Sequence, residues 1–243
     1  MEGVISALMS SDIHAPSDET AADGAPPAST APRSPASPTK GKGESSARVS
    51  DRGAATRSAL LAAARDVFAE SGFAQAAVTE IVARAGASVG SLYHHFSGKA
   101  DLYLTLWEDF QNRQQERTRQ AVHAARAAGV TDPMQLFIAG ATAYLDGCLA
   151  DRRISRLFIQ GDGPPGFDRV MNKRLRKWAR RNAALFHTPD GEVDEPLVTV
   201  LTGAMAAAVT EISLTEDEDA ARKMAADIMA VIATIRSPRA EQS

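Results

Sequence analysis

Apolar residues recur with the period of an α-helix from residue 54 onward, and this is the only sustained period in that part of the sequence. Leu60, Ala64 and Phe68 fall on one face of a first predicted helix. Gly72 is placed to end that helix as a left-handed cap. The pattern therefore predicts an all-α fold.

Residues 1–50 differ in composition from the rest of the chain. They hold six of the twelve prolines and no aromatic residue, so they cannot bury enough apolar surface to offset the loss of chain entropy. We therefore predict a disordered tail, and the segment lacks the continuous apolar stretch of a secretory signal. Its second half is basic, which suits either an arm that reaches a DNA groove or a solvated linker. These basic residues are Arg33, Lys40, Lys42, Arg48 and Arg52.

Two short helices follow the first one. The apolar pattern repeats over residues 78–82, and Ser88 can cap a third helix whose Leu92 and Phe96 point the same way. Two short helices joined by a tight turn are typical of a helix-turn-helix motif, here at about residues 77–96. Plain helical hairpins share this pattern, so the spacing alone leaves both interpretations open.

The outer face of the third helix favours the DNA-binding interpretation. A glycine inside a helix costs about 1 kcal/mol relative to alanine, and Gly90 is easier to understand if a DNA backbone or base edge comes close to it. Ser91 and His94 can bond base edges, and the Tyr93 hydroxyl can reach a phosphate. Val89 either packs inward or touches a thymine methyl group.

Lys99 is the next candidate DNA contact. Ser97 is placed to cap a fourth helix, which puts Lys99 in a first turn where a positive charge opposes the helix dipole. A bound phosphate would offset that cost. Thr79 can supply a further hydroxyl at the start of the second helix. Residues 51–110 carry five basic and seven acidic residues, so DNA affinity must come from a few placed groups and from dimerisation.

The run ARAGASVGSLYHHFSGK at residues 83–99 resembles the TetR family of bacterial transcriptional regulators, and the resemblance extends over about residues 56–110. It implies an all-helical homodimer with an N-terminal DNA-binding head and a C-terminal body that binds a small-molecule inducer. Ala77 stands where the family often has Thr or Ser, so a helix cap is missing there. The positions that the resemblance marks as DNA contacts are Ser88, Gly90, Ser91, Tyr93 and Lys99.

The remaining chain predicts a helical body. We place the head at residues 54–114 and a ligand-binding and dimerisation domain at 115–237. Asp132 with Gln135 and Thr215 with Glu218 have the spacing of capping boxes. The predicted helices run from about 103 or 107 to 128, and over 133–150, 167–186, 196–214 and 216–236.

The last two predicted helices carry a long apolar face that is either a subunit interface or an internal core. Small residues in the first of them would let helix axes approach closely. The residues concerned are Gly203, Ala204, Ala206, Ala207, Ala208, Ala221, Met224, Ala225, Ile228, Val231, Ile232 and Ile235. In the resembling family the two C-terminal helices form a four-helix dimer bundle, which favours the interface.

Aromatic residues of the body could line an effector cavity. Phe137, Tyr144, Phe158 and Trp178 are the candidates, although each could equally be part of the core. Ten basic residues against two acidic ones between residues 152 and 181 could attract an anionic effector or form a solvated face. The sequence does not identify the effector.

Other function classes find little support. Cys148 is the only cysteine and is expected to be a small buried residue, which excludes a disulfide scaffold. His94 and His95 are adjacent and cannot share a metal from one helical face, and no nucleophile setting is recognisable. We therefore expect no enzyme activity, no cofactor and no metal. The apolar stretch at 197–214 suits a buried helix better than a membrane span, so we expect a cytoplasmic protein without a membrane partner.

The combined prediction is a repressor that binds a pseudo-palindromic operator as a homodimer and is released by an unknown small-molecule effector. The alternative is a helical ligand-binding or interaction protein whose helix-turn-helix is only structural. Operator binding separates the two.

Overall fold

The structure is a computed structural model that describes residues 42–159, 163–187 and 190–236, with side chains described from residue 52. All the elements named in these residues are helices. From Ala55 onward the described residues form one compact unit. The helices in the described part are α1 (Lys42–Gln75), α2 (Val78–Arg84), α3 (Val89–His95), α4 (Lys99–Ala127), α5 (Pro133–Ala150), α6 (Arg152–Ile159), α7 (Phe167–Ala183), α8 (Glu195–Leu214) and α9 (Glu218–Ile232). The predicted all-α fold is confirmed.

The first three helices pack as the apolar pattern predicts. Leu60, Ile81 and Leu92, one from each helix, are fully buried in a shared core. α1 loses helical geometry at Gly72, whose φ of 75° favours glycine, so the predicted end of the first helical segment is correct.

The predicted tail and the structure differ at their boundary. Residues 1–41 lie outside the described part of the chain, but α1 already begins at Lys42, so residues 42–50 are helical. The last tail proline is Pro38. No proline between that position and the head blocks a helix from extending toward the N-terminus.

α4 is one continuous helix of 29 residues, where the sequence predicted a short fourth helix followed by a second one. No glycine or proline interrupts residues 99–127, and Leu102, Leu106 and Phe110 keep a single buried face. The predicted domain boundary at residue 114 therefore falls inside an unbroken helix.

α5 packs closely against α4 because two glycines two turns apart face that helix. An added Cβ at Gly147 would lie 1.9 Å from Gln114 Oε1, and one at Gly140 would lie 3.0 Å from a methyl carbon of Val122. The predicted start of α5 is confirmed, since the Asp132 carboxylate accepts a hydrogen bond from the Gln135 backbone N–H at 2.8 Å.

The sequence analysis missed α6. This helix follows α5 after the single residue Asp151, and its Ile154, Leu157 and Phe158 have the i, i+3, i+4 spacing of a buried face. Its three arginines, Arg152, Arg153 and Arg156, obscured that pattern. The three residues that follow α6, at positions 160–162, lie outside the described part of the chain.

The predicted cap of the last helix is wrong. α9 begins at Glu218, and Asp217 caps it by accepting a hydrogen bond from the Ala220 N–H at 2.6 Å. Thr215 instead donates to the Glu211 carbonyl at the end of α8. Asp217 is two positions closer to the helix and is among the strongest capping residues, so it takes the role expected of Thr215.

Of the described helices, only α8 is long and apolar enough to cross a membrane by length and composition alone. Its Leu201, Met205 and Ile212 are buried in the core of the unit. The prediction of a buried helix at this position is therefore confirmed.

An aromatic cluster centred on Tyr103 connects the head to the body. The Tyr103 ring contacts Phe68 and Phe73 of α1 at centroid distances of 5.6 and 5.3 Å, and Phe158 and Phe167 of the body at 5.3 and 5.0 Å. Its hydroxyl donates to the Leu157 carbonyl at 3.4 Å. Edge contacts of this kind add about 0.5–1.5 kcal/mol each to the stability gained by burial, so the two parts share one core.

Candidate nucleic-acid interface

The turn between α2 and α3 is built by backbone hydrogen bonds. The Gly86 N–H donates to the Ala83 carbonyl at 3.2 Å, and the Ala87 N–H donates to the Val82 carbonyl at 2.9 Å. This is a Schellman ending, and Gly86 supplies the left-handed φ of 60° that it requires. The two short helices therefore have the helix-turn-helix arrangement that the spacing predicts.

Ser88 starts α3 as predicted. Its Oγ accepts a hydrogen bond from the Ser91 N–H at 3.1 Å and lies 3.0 Å from Ser91 Oγ. The two hydroxyls therefore hold each other at the beginning of the helix. Ser91 is half-buried, and Thr79 is exposed near the start of α2. Ala77 occupies the cap position of α2, and no side-chain hydrogen bond forms there because its methyl group cannot accept one.

The outer face of α3 is open to solvent. Tyr93 is 57% exposed and Val89 is 43% exposed, which excludes the inward packing of Val89 that the sequence left open. His94 is exposed, and its ring lies 5.0 Å from the half-buried ring of His95. The exposed tyrosine hydroxyl forms no hydrogen bond within the described part of the chain.

Gly90 is exposed and has no structural reason to lack a side chain. A Cβ added there would meet only Ser88 Oγ, at the ordinary contact distance of 3.8 Å. Its φ is not in the left-handed region, so neither packing nor backbone geometry within the described residues explains the glycine.

The ammonium group of Lys99 has partners that the sequence did not reveal. Its Nζ donates to the carbonyls of Ala74 and Ala76, each at 3.1 Å, and lies 4.5 Å from the centre of the Phe73 ring. Carbonyl oxygens of the last turn of α1 and of the residue just after it thus offset the unfavourable position of this charge on the dipole of α4. The phosphate contact predicted for Lys99 stays a prediction. The cap position of α4 is occupied by Gly98 and not by the predicted Ser97. The N–H and the hydroxyl of Ser97 both donate hydrogen bonds to the Asp101 carboxylate.

Arg57 is a candidate phosphate contact that the sequence analysis missed. Its guanidinium carbon lies 5.1 Å from the centre of the Phe96 ring, at the end of α3, and the residue is exposed. Arg84, by contrast, is occupied by ion pairs with Glu70 and Glu80 at 2.6 and 2.8 Å. No local sequence signal pairs residues 57 and 96, since they meet only through the packing of α1 on α3.

The tail arm cannot be placed next to this surface. Arg33 and Lys40 lie outside the described residues, and the side chains of Lys42 and Arg48 are not described. A groove contact by the tail therefore stays a prediction.

The four predicted effector contacts do not form one group. Phe137 packs against Trp178 at a centroid distance of 6.0 Å, while Phe158 belongs to the aromatic cluster around Tyr103. Tyr144 is half-buried on α5, and burial raises its pKa above the ordinary value of tyrosine. A common role for these four residues stays a prediction.

Cys148 is buried, as the sequence predicts. Gln114 Nε2 donates to its sulfur at 3.4 Å, and burial raises the pKa of the thiol to about 12. The thiol is therefore protonated at neutral pH and is a poor nucleophile.

Comparison with known proteins supports the family resemblance in the head. The family model described as "Bacterial regulatory proteins, tetR family" matches residues 60–106. This range contains all eight predicted DNA contacts, from Thr79 to Lys99.

Two curated relatives match larger parts of the chain. The transcriptional activator FasR of Mycolicibacterium smegmatis is 35% identical over 106 residues, which are 44% of this chain and 46% of that protein. The transcriptional repressor BepR of Brucella suis is 29% identical over 135 residues, 52% of this chain and 63% of that protein. The chain thus spans less than two thirds of either relative.

A solved structure extends the comparison to the body. The fatty acid degradation regulator FadR of Bacillus halodurans superposes with a TM-score of 0.55 at 17% identity, covering 74% of this chain and 99% of that one. At this identity the likeness concerns the fold alone. Residues 60–106 thus match the model of the TetR family, and the described chain shares its all-helical fold with FadR.

Proposed function

We propose that this chain is a cytoplasmic transcriptional regulator that binds a pseudo-palindromic operator as a homodimer, represses transcription and is released by a small-molecule effector. The single observation that carries the proposal is the outer face of α3. It exposes Tyr93 and His94 beside Gly90, and the packing of the described residues does not require a glycine at that position. A helix with a bare, polar outer face suits the major groove, where base edges are read by direct contact.

Individual residues of this surface have separate roles in the proposal. The Tyr93 hydroxyl and the Arg57 guanidinium bind phosphates, which sets affinity and register. His94 and Ser91 contact base edges, which sets sequence preference. Ser88 holds the start of α3, and Val89 is available to a thymine methyl group. Lys99 and Thr79 lie at the borders of the surface and contact the phosphate backbone of the DNA.

The proposed dimer is supported by the outer faces of α8 and α9. Val200 is 52% exposed and Val231 is 64% exposed, and an added Cβ at Gly203 would meet no atom within 4 Å. Large exposed valines are costly in water, and a second copy of the same two helices would cover them. A twofold dimer places its two recognition helices in successive major grooves about 34–36 Å apart.

The direction of regulation is the least supported element of the proposal. FasR is an activator and BepR is a repressor, so similarity does not distinguish the two directions. Transcription from the bound promoter, measured in vitro with and without the protein, decides it: a repressor lowers the yield of transcript.

The proposal is tested by isolating bound DNA from the sheared genome of the source organism. We expect a site with two half-sites one helical turn apart, bound by two chains in light scattering. Tyr93→Phe should weaken binding to operator and to unrelated DNA by similar factors, because a phosphate contact carries no sequence information, and it should leave the salt dependence unchanged, because the hydroxyl is uncharged and displaces no counterion. Thr142→Ala, an exposed polar substitution in the body, serves as the control.

The second candidate function is a helical ligand-binding or interaction protein with a purely structural helix-turn-helix. It is favoured if no DNA fragment is enriched and if Tyr93→Phe leaves binding to unrelated DNA unchanged. In that case the approach of DNA would not account for the glycine at position 90.

A further inference from the structure

α7 is the most basic helix of the described chain. It carries seven basic residues and one acidic residue, and none of them takes part in an ion pair with another described residue. Six of the seven basic side chains are exposed and have the ordinary character of a solvated face. The seventh, Arg174, is half-buried against α4.

The partners of Arg174 are all neutral. Its Nε donates to Gln111 Oε1 at 3.1 Å, and its Nη2 donates to the Gln111 backbone carbonyl at 3.3 Å. No carboxylate pairs with Arg174 within the described residues, and no described group accepts a hydrogen bond from its Nη1. Burial and the neighbouring charge of Arg181 both lower the pKa of Arg174.

A half-buried guanidinium without a counter-charge is an unusual arrangement. Removing a charge from water is costly, and proteins normally offset that cost with an ion partner. Gln111 is a buried amide, so it can orient the guanidinium but cannot neutralise it. The remaining donors of Arg174 are therefore suited to an anion from solution.

Aromatic surface lies next to this cation. Trp178 follows Arg174 by one turn of α7 and packs against Phe137 of α5. Tyr144 lies two turns after Phe137 along α5, on the same side of that helix. A ligand that reaches Arg174 thus meets a charged group and, one turn along α7, the half-buried ring of Trp178, behind which Phe137 is buried.

We propose that Arg174 binds the anionic group of a small organic ligand whose apolar part packs against the half-buried ring of Trp178. Gln111 is the positioning residue that orients the guanidinium. The inference rests on the proposed function only in identifying this ligand as the effector. Gln111 lies twelve residues after Lys99 on α4, about 18 Å along a continuous helix, so a change at the anion site can be transmitted to the head.

The experiment uses two dyes that differ only in charge: anilinonaphthalene sulfonate and phenylnaphthylamine, the same molecule without the sulfonate. Each is titrated into the full-length protein without DNA, and the fluorescence gives its affinity. We expect the anionic dye to bind about tenfold more tightly than the neutral one, which corresponds to about 1.4 kcal/mol. Arg174→Gln should remove this preference and leave the affinity for the neutral dye within about twofold.

Arg176→Gln is the matched control. It makes the same charge change on the same helix at an exposed position, and it should leave the affinity for both dyes unchanged. Equal losses in Arg174→Gln and Arg176→Gln would mean that the overall charge of α7 attracts the dye, and this result would overturn the proposal. It would also be overturned if the wild-type protein bound the anionic dye no more tightly than the neutral one.

Gln111→Glu gives a second test that does not require removal of the arginine. The substitution keeps the shape of the side chain and places a carboxylate 3.1 Å from Arg174 Nε, where it should neutralise the guanidinium. We expect about a tenfold loss of affinity for the anionic dye and an unchanged affinity for the neutral dye. Unchanged binding of the anionic dye in this folded variant would also contradict the anion site.

These titrations are independent of DNA binding. A charge preference that depends on Arg174, in a protein that binds no operator, would support the anion site and reject the proposed regulator. Operator binding without such a preference would reject the anion site alone.

Discussion

Gly90 illustrates how a single residue can indicate a function that lies outside the fold. Helical glycines are costly, and two others in this chain, Gly140 and Gly147, are explained by the approach of α4. Gly90 has open space in front of it and a side-chain contact only at 3.8 Å. The explanation that remains is an external surface, and we propose that this surface is the groove of bound DNA.

Gly90→Ala should therefore separate stability from function. Alanine favours helix by up to about 1 kcal/mol over glycine, so the melting temperature should stay the same or rise. Operator affinity should fall by about tenfold, because the added methyl group keeps the base edges away. Thermal unfolding and fluorescence anisotropy measure the two quantities. An alanine variant with full operator affinity would show that DNA does not approach this position.

At the residue scale, the sequence predicted contacts between near neighbours better than contacts between distant residues. The cap of Ser88 on α3 was predictable because donor and acceptor are three residues apart. The carbonyl partners of Lys99 lie 25 and 23 residues away, so a helical pattern could not reveal them. Arg57 and Arg174 were not recognised for the same reason, since each acquires its meaning from another helix.

At the scale of elements, the helical spacing of the apolar residues predicted where most helices lie but not every residue at which a helix begins or ends. A break was predicted within residues 99–127, where the structure has one continuous helix. α6 was missed because arginines surround its short apolar face. Caps were correct where a single candidate stood before the helix, as at Ser88, and wrong where Thr215 and Asp217 competed.

The close packing of α4 on α5 can be tested with two glycines. Gly147→Ala should destabilise the protein by about 1–3 kcal/mol, because its methyl group would overlap the Gln114 side chain. Gly90→Ala is the matched substitution in α3, where an added Cβ meets only Ser88 Oγ at 3.8 Å, and it should not destabilise the folded chain. Urea unfolding measures both variants. Equal stability of the two would contradict the packing described for α4 and α5.

Glu70 links three helices, and this gives the stability a pH dependence. Its carboxylate pairs with Arg84 of α2 at 2.6 Å and with Arg153 of α6 at 3.8 Å, and the hydrogen bond from Arg84 lowers its pKa below the ordinary value of 4.5. Because the pKa of Glu70 is lower in the folded state than in the unfolded state, the ionised carboxylate stabilises the fold at any pH above the ordinary pKa. This stabilisation is lost as the pH falls through the lowered pKa of the folded state.

Glu70→Gln should therefore lower the melting temperature slightly at pH 7, and the difference from wild type should vanish in acid, below the lowered pKa. The effect is modest because the pair is exposed, and it should shrink further at high salt. Glu108→Gln on α4 is the control, since Glu108 is exposed and forms no ion pair within the described residues. A difference that persisted unchanged in acid would mean that Glu70 acts through packing and not through its charge.

At the scale of the whole molecule, the proposed dimer can be tested with two exposed valines. Val231→Glu places a charge on the most exposed large apolar residue of α9 and should convert the dimer to a folded monomer. Val170→Glu makes the same change on α7, where valine is 38% exposed, and should leave the dimer intact. Sedimentation at micromolar concentration gives the oligomeric state. If both variants sedimented as wild type does, the faces of α8 and α9 would not form the interface.

The aromatic cluster around Tyr103 also limits how this protein could be engineered. Hybrid biosensors are often imagined as a reading head joined to a foreign sensing body. In this protein a junction at residue 114 would leave the buried Tyr103 ring, which contacts Phe68 and Phe73, facing foreign residues in place of Phe158 and Phe167. A working hybrid would therefore have to transplant the cluster together with the head.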